Sequence, residues 1–490
     1  MSTPEPPPDG HVLTGPDAGG KAIRGGMIRT AGYGAGLLLT AVASIFLLRH
    51  LGVVRFGQYT TVIAIVTMVQ SLTDAGLTVV GQRVYVHADG ERRRTLLADL
   101  VGIRLVLTSL GIVIGVLFAV VAGYPNALVT GTVLAGIGVV LSVVAAALAM
   151  PLSVELRLGA VTTIDFVRQL VIVVGIVGLV VAGAGLVPFF LVYVAGGIAA
   201  LLAALALLGT GSWVAPRFSW REWKPLLKEA LPVAMSLVVN NTYVRTLIIL
   251  CSLLATAEQT GLFATSYRVA EILLAVPQLM LGAAFPIMAH AHVADEERLA
   301  YVLQRMGEAA LLLGLALGLV LAVGAEPIVL LLGGSQFEAA ADPLRIQSVA
   351  IAGAFMTGVG TTALIAVQRQ RALLLVNAVA LVVVLVLGIT LIPLWEANGA
   401  ALAASIGEVV LAVAALALLA RARPALRPDL GYVPKLLLAA ALGGACVLLP
   451  IPDAVAAVAA LVVYVAVAVL LRAVPPELLE ALRRRRPIVD

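Results

Sequence analysis

Ala230–Leu254 reads ALPVAMSLVVNNTYVRTLIILCSLL, and Gly261–Ala289 reads GLFATSYRVAEILLAVPQLMLGAAFPIMA. A helix of about 20 apolar residues crosses the hydrocarbon core of a bilayer, and both runs are longer than that. Each carries polar groups at that depth: Asn240, Asn241, Tyr243 and Arg245 in the first, Arg268, Glu271 and Gln278 in the second. A charge at the bilayer centre costs about 2.5–3.5 kcal/mol on insertion scales, so such residues normally face a protein interior or a watery cavity and point to function. The two runs lie at the middle of the chain and open the second of two similar halves.

Composition extends this reading to the whole chain. Of 490 residues, 61% are hydrophobic and only 12% charged, against about 25% charged in soluble domains. With a mean hydropathy of +1.08, a soluble globular protein is excluded. The net charge of +5 is no argument for nucleic acid, because a basic excess in a membrane protein reflects lysines and arginines retained in the cytoplasm. Cys251 and Cys446 both sit in apolar runs, which indicates neither a disulfide framework nor a metal site. Residues 1–26 are rich in Pro, Gly and charge and are expected to be a disordered cytoplasmic tail.

Fourteen apolar segments are candidate spans: 27–48, 57–82, 98–122, 127–151, 160–182, 186–208, 230–254, 260–289, 304–332, 344–367, 372–393, 397–420, 434–450 and 453–473. The fold class is therefore an all-α polytopic membrane protein of about 14 transmembrane helices. The expected organisation is an N-lobe of helices 1–6 (27–210), a cytoplasmic linker (211–229) and a C-lobe of helices 7–12 (230–420). Helices 13–14 (434–473) and a basic cytoplasmic tail (474–490) follow. Of the 32 lysines and arginines, 25 fall in one set of connections and tails and 2, Arg49 and Arg55, in the alternate set. That asymmetry places both termini in the cytoplasm. GQYTTVIAIV from Gly57 and GLFATSYRVA from Gly261 each open a span after an outer turn, 204 residues apart. Two six-span halves in the same orientation suggest a parallel repeat, an architecture suited to alternating access.

The charges inside spans are the candidates for chemistry. Asp165 and Arg168 are three residues apart, as are Arg268 and Glu271, so each pair shares a helix face and can form an ion pair. Arg245 has no acidic residue within one turn of its own helix and is expected to offer its guanidinium to a cavity, with Asn240 and Asn241 nearby. A planar guanidinium pairs bidentately with phosphate oxygens, which favours an anionic substrate. Asp74 and Glu408 are single acids near mid-span; each is open to binding Na⁺ or a proton, or to pairing with an arginine across a cavity. Arg104, Glu308 and Arg345 lie near enough to an interface to snorkel.

No HExxH, Walker A, GxSxG or paired Cys/His pattern occurs, which argues against an enzyme. His290 and His292, in AHAHVADEER, read as a solvated span end beside acids. AGYGAG (Ala31–Gly36) reads as close helix packing.

Four stretches together resemble a known family. They are RHLGVVRFGQYTTVIAIVTMVQSLTDAGL (Arg49–Leu77), TGLFATSYRVAEILLAVPQLMLGAAFPIMA (Thr260–Ala289), PIVLLLGGSQFEAAADPLRI (Pro327–Ile346) and IPLWEANGAALAASIGEVV (Ile392–Val410). In this order they resemble the Wzx-type polysaccharide (O-antigen) flippases of the multidrug/oligosaccharidyl-lipid/polysaccharide (MOP) exporter superfamily. The resemblance spans about residues 27–473 and implies a twelve- or fourteen-span fold around a central cavity. It implies transfer of an undecaprenyl-diphosphate-linked oligosaccharide across the bacterial cytoplasmic membrane, with no cofactor beyond coupling to Na⁺ or H⁺. Membrane lipids, a polysaccharide polymerase and glycosyltransferases would be its partners.

On this reading Arg245, Arg268, Asn240, Asn241 and Arg168 bind substrate. Asp74, Glu271, Asp165 and Glu408 couple ions or balance charge. The rivals are a lipid II flippase, a multidrug/cation antiporter, and, in another class, a membrane glycolipid polymerase or ligase, which would need a large outer loop. The longest outer loop here is about Gly333–Ala341.

Overall fold

The computed structural model describes residues 18–74, 76–209, 214–274, 276–277, 280 and 296–475. Among these the chain is helical throughout, with no strand. In order, the helices are α1 (Ala18–Asp74), α2 (Leu77–Val86), α3 (Gly90–Val121), α4 (Asn126–Leu148), α5 (Met150–Val154), α6 (Leu158–Val181), α7 (Pro188–Leu208), α8 (Trp220–Leu254) and α9 (Ala257–Leu273). They continue as α10 (Glu296–Val323), α11 (Ala325–Gly333), α12 (Ala341–Ala366), α13 (Gln370–Ala422), α14 (Val433–Gly444) and α15 (Asp453–Leu470). Among the described residues, nine helices are long and apolar enough to cross a membrane, and two of these exceed 50 residues.

A 53-residue helix such as α13 would be about 80 Å long as a straight rod, far more than a bilayer accepts. It is broken at Glu396, where φ is 50° and ψ −124°. The two arms fold back on each other, so that a Cβ on Gly407 would stand 2.3 Å from Val384 Cγ2. α1 is likewise interrupted at Gly52, with φ 71° and ψ 173°. Each expected span thus has a helix at its place, although much of 260–289 lies outside the described residues. The membrane fold shows in the surface as well. Leu110, Val113, Ile114, Leu117 and Val120 of α3 are all more than half exposed, as lipid-facing positions are.

Three features depart from the sequence reading. α1 begins at Ala18, so 18–26 of the expected disordered tail is helical; extending an existing helix costs far less than nucleating one. The second expected span is interrupted, because α1 ends at Asp74, Gly76 has φ 81°, and α2 starts at Leu77. Asp74 therefore ends a helix instead of lying within one. The Gly333–Ala341 connection is folded, with a 3-10 turn over Ser335–Ala340 whose Phe337 is fully buried.

The chain divides into two compact units, one of residues 1–47 and 65–238, the other of residues 48–64 and 239–490. The changeover near the middle of the chain lies within α8, at Val238–Val239.

In the first unit the linker is partly helical. Trp223, Leu226 and Ala230 of α8 pack with Leu97, Leu100 and Ile103 of α3 and with Met150. The Arg217 N–H donates to the Ala98 carbonyl at 3.0 Å. A Cβ on Gly102 would meet the Arg217 carbonyl oxygen at 2.1 Å, so only glycine admits this crossing. In the AGYGAG stretch Gly32 packs closely, since a Cβ there would collide with Thr162 of α6, whereas one on Gly34 would meet nothing within 4 Å.

In the second unit, helices α14 and α15 are fastened to α10 at two heights. The Gln304 amide donates to the Asp429 carbonyl at 3.0 Å and accepts from the Asp429 N–H at 2.9 Å. Tyr464 Oη donates to the Leu312 carbonyl at 2.9 Å. Beside the first of these contacts, burial, aided by Glu308 and Asp429, pushes the Tyr432 phenol up to about 12.

Candidate functional site

α8 and α9 are joined by Ala255 and Thr256 alone. Thr256 caps α9, its side chain accepting from the Gln259 N–H at 3.2 Å. The tight turn makes the two helices antiparallel neighbours. Arg245 lies nine residues before the end of α8, and Arg268 eleven residues after the start of α9. At 1.5 Å per residue both sit about 14–16 Å from the turn, close to the middle of a 30 Å hydrocarbon core.

There they share one carboxylate. Arg245 Nη2 is 2.9 Å from Glu271 Oε1, and Arg268 Nη1 is 2.6 Å from Glu271 Oε2. All three side chains keep 26–28% of their surface exposed, so they are sheltered yet reachable. The expectation for Arg245 is corrected in one respect: it has an acidic partner, supplied by the neighbouring helix. Two guanidiniums bound to the two oxygens of one carboxylate are charge-assisted contacts of the kind that recognise phosphate.

Glu408 has a different setting. It is 6% exposed, on the second arm of α13 against α12. Thr357 Oγ1 donates to its Oε2 at 3.2 Å, and no ion pair reaches it among the described residues. A Cβ on Gly353 would stand 3.2 Å from Glu408 Cβ. Gly353, Thr357 and Gly360 recur at i, i+4 and i+7 and form one small face that admits the acid. That stripe was visible in the sequence but was not connected to Glu408, because nothing in the sequence says which span packs on α12. A buried acid with one hydroxyl partner and no cation can exchange a proton or take up a small monovalent cation.

The remaining candidates are dispersed. On α6, Asp165 is exposed and Arg168 half-buried; both belong to the first unit. Asn240 and Asn241 lie on α8, but their side chains, like that of Asp74, fall outside the described residues. Gln278, His290 and His292 fall outside them too. Arg104 does not snorkel. It is 1% exposed, and its Nη2 donates to Thr78 Oγ1 at 2.5 Å. Glu308 pairs with Arg305 at 2.8 Å, and Arg345 with Asp342 at 2.8 Å. Among the described residues no group of His, Cys, Asp and Glu could hold a metal ion, and both cysteines are buried free thiols.

Comparison with known proteins gives a family profile described as polysaccharide biosynthesis protein, which matches residues 22–292. Among solved structures, the chain is similar to the lipid II flippase MurJ in an inward closed conformation, with a TM-score of 0.75 at 11% identity over 91% of this chain and 99% of that one. It is similar to an inward-facing multidrug resistance MATE family transporter of the MOP superfamily, with a TM-score of 0.67 at 13% identity over 80% of this chain and 95% of that one. A third is a MOP superfamily transporter from Pyrococcus furiosus whose binding pocket is described as of reverse polarity, with a TM-score of 0.55 at 14% identity, covering 87% and 100%. At these identities the likeness is one of fold. No curated relative matches the sequence.

Proposed function

We propose, since this chain belongs to the polysaccharide biosynthesis protein family, that it moves a polyprenyl-diphosphate-linked oligosaccharide across the cytoplasmic membrane for cell-surface polysaccharide assembly. The observation that carries the proposal is the meeting of Arg245 and Arg268 near mid-membrane on one carboxylate. Two guanidiniums there would draw a diphosphate into an otherwise apolar protein. Transport would proceed by alternating access, with no chemistry on the substrate. Arg168, Asn240 and Asn241 would add polar contacts to the sugar or phosphate. Glu408 and Asp74 are the acids through which an H⁺ or Na⁺ gradient would act, and Asp165 would balance charge. A polymerase and glycosyltransferases would be partners, and both termini would face the cytoplasm.

A lipid II flippase is the second reading. The likeness to MurJ favours it, because that match covers more of this chain than the match to the MATE transporter at 0.67.

Reconstitution tests the proposal. Proteoliposomes carrying a fluorescent polyprenyl-diphosphate oligosaccharide should expose it from the opposite leaflet only when protein is present. Arg245→Gln and Arg268→Gln should each slow this by about tenfold or more, as loss of a charge-assisted contact of roughly 1.5–3 kcal/mol implies. Glu408→Gln should flip without responding to a pH or Na⁺ gradient. Undiminished flipping in both arginine variants at equal protein would overturn the assignment. Rescue of cells depleted of their own lipid II flippase would decide for the second reading.

A further inference from the structure

We infer that Glu271 is a built-in competitor of the substrate: it occupies the two guanidiniums while the site is empty, yields them to the diphosphate, and reclaims them to drive release. The inference rests on the diphosphate reading above and adds a role for the acid. Three observations carry it.

The first is stoichiometry. One carboxylate spans two guanidiniums, giving a single oxygen to each. A diphosphate brings more oxygens and more charge, and can engage each guanidinium bidentately. It can therefore outbid the carboxylate without adding new basic groups.

The second is tethering. Glu271 is three residues from Arg268 on α9, so it stays within a side chain's reach after it is displaced. A tethered competitor acts at a high effective concentration set by that reach. It cannot be washed out of the cavity and is ready to return whenever the phosphate contacts loosen.

The third is position. All three groups are at membrane depth, where an arginine with no counter-ion is costly. Exchange of one anion for another lets substrate enter and leave without exposing both guanidiniums together. The cluster is also reachable, with about a quarter of each side chain exposed. The ligand class is the diphosphate of an isoprenoid lipid whose other end carries a sugar. Of the two bonds, Arg245–Glu271 joins two helices and Arg268–Glu271 lies within one. The interhelical bond is the one whose exchange would loosen α8 from α9.

This assigns the carboxylate an effect opposite to that of a simple binding residue. Removing it should tighten binding and slow turnover. The test uses the purified full-length protein with farnesyl diphosphate as probe and inorganic pyrophosphate beside it, comparing wild type, Glu271→Gln, Glu271→Ala, Arg245→Gln and Arg268→Gln. Binding is read by calorimetry, and flipping by the proteoliposome assay.

The expected result is roughly tenfold tighter farnesyl diphosphate binding in Glu271→Gln, with flipping slowed severalfold. In Glu271→Ala, added formate should weaken binding again, an effect that a merely misfolded variant would not show. Stronger binding of farnesyl diphosphate than of pyrophosphate identifies the lipid-borne group as ligand; equal binding assigns the site to free diphosphate and overturns the lipid part. Unchanged or weaker binding in Glu271→Gln, together with loss in both arginine variants, overturns the competitor role and leaves the flippase reading standing. Wild-type protein that binds neither probe would overturn both.

Discussion

Glu396 is held at φ 50° and ψ −124°, a region that only glycine enters without strain. Its neighbour explains why the break persists: the Ala397 N–H donates to Gln259 Oε1 at 3.4 Å, so α9 supplies a partner for the start of the second arm. The Glu396 side chain itself is exposed. Glu396→Gly should therefore raise stability by about 1 kcal/mol, read as an increase in the thermal midpoint of the detergent-solubilised protein with flipping unchanged. At this scale the sequence was informative wherever spacing along one helix decided the matter. Arg268 and Glu271 were legible as a pair because i and i+3 share a face. The partner of Arg245 was not, because it depends on where the α8–α9 turn places two helices. Arg104 was misjudged for a related reason: depth in a span gives the distance to an interface, not the presence of a protein wall and a threonine beside it.

At the scale of elements, one very tight crossing is that of the two glycines that head similar stretches of sequence, Gly57 and Gly261. A Cβ on Gly57 would stand 2.2 Å from the Ala257 carbonyl oxygen and 2.7 Å from Gly261 N, and one on Gly261 would stand 2.1 Å from the Val53 carbonyl oxygen. Backbone atoms cannot step aside as a flexible side chain can. Gly57→Ala and Gly261→Ala should each cost about 1–3 kcal/mol and cut flipping sharply. Gly34→Ala, with nothing within 4 Å of its Cβ, should be silent in both measurements. Helix existence was legible throughout, since long apolar runs admit few other backbone solutions in lipid. Helix interruption was less so. The break between Asp74 and Leu77 falls in a run whose hydropathy hardly changes, and the glycine that permits it looks like the many that merely allow close packing.

For the molecule as a whole, the distribution of lysine and arginine sets the expected topology, 25 on one side against 2 on the other. The buried state of Cys251 and Cys446 makes this easy to test, because neither native thiol should react with a membrane-impermeant maleimide. Arg94→Cys and Arg427→Cys should label only from the cytoplasmic side, and Gln336→Cys only from outside; the reverse pattern would invert the protein. The grouping of residues 48–64 with the second unit was not legible, because hydropathy records that a segment is apolar and says nothing of which other segment it packs against. The broken helix α13 has a consequence for how such a chain is made. Its arms are joined at one residue, with Leu391 and Gly399 already in close backbone approach, so no loop exists in which the first arm could settle alone. The geometry predicts that both arms must be delivered before either finds its place, so that the hairpin and not the single span is what enters the bilayer during synthesis. With a linker long enough to clear the ribosome's exit tunnel, a nascent chain cut after Pro393 should stay accessible to the insertion machinery, and one cut after Ala422 should leave it.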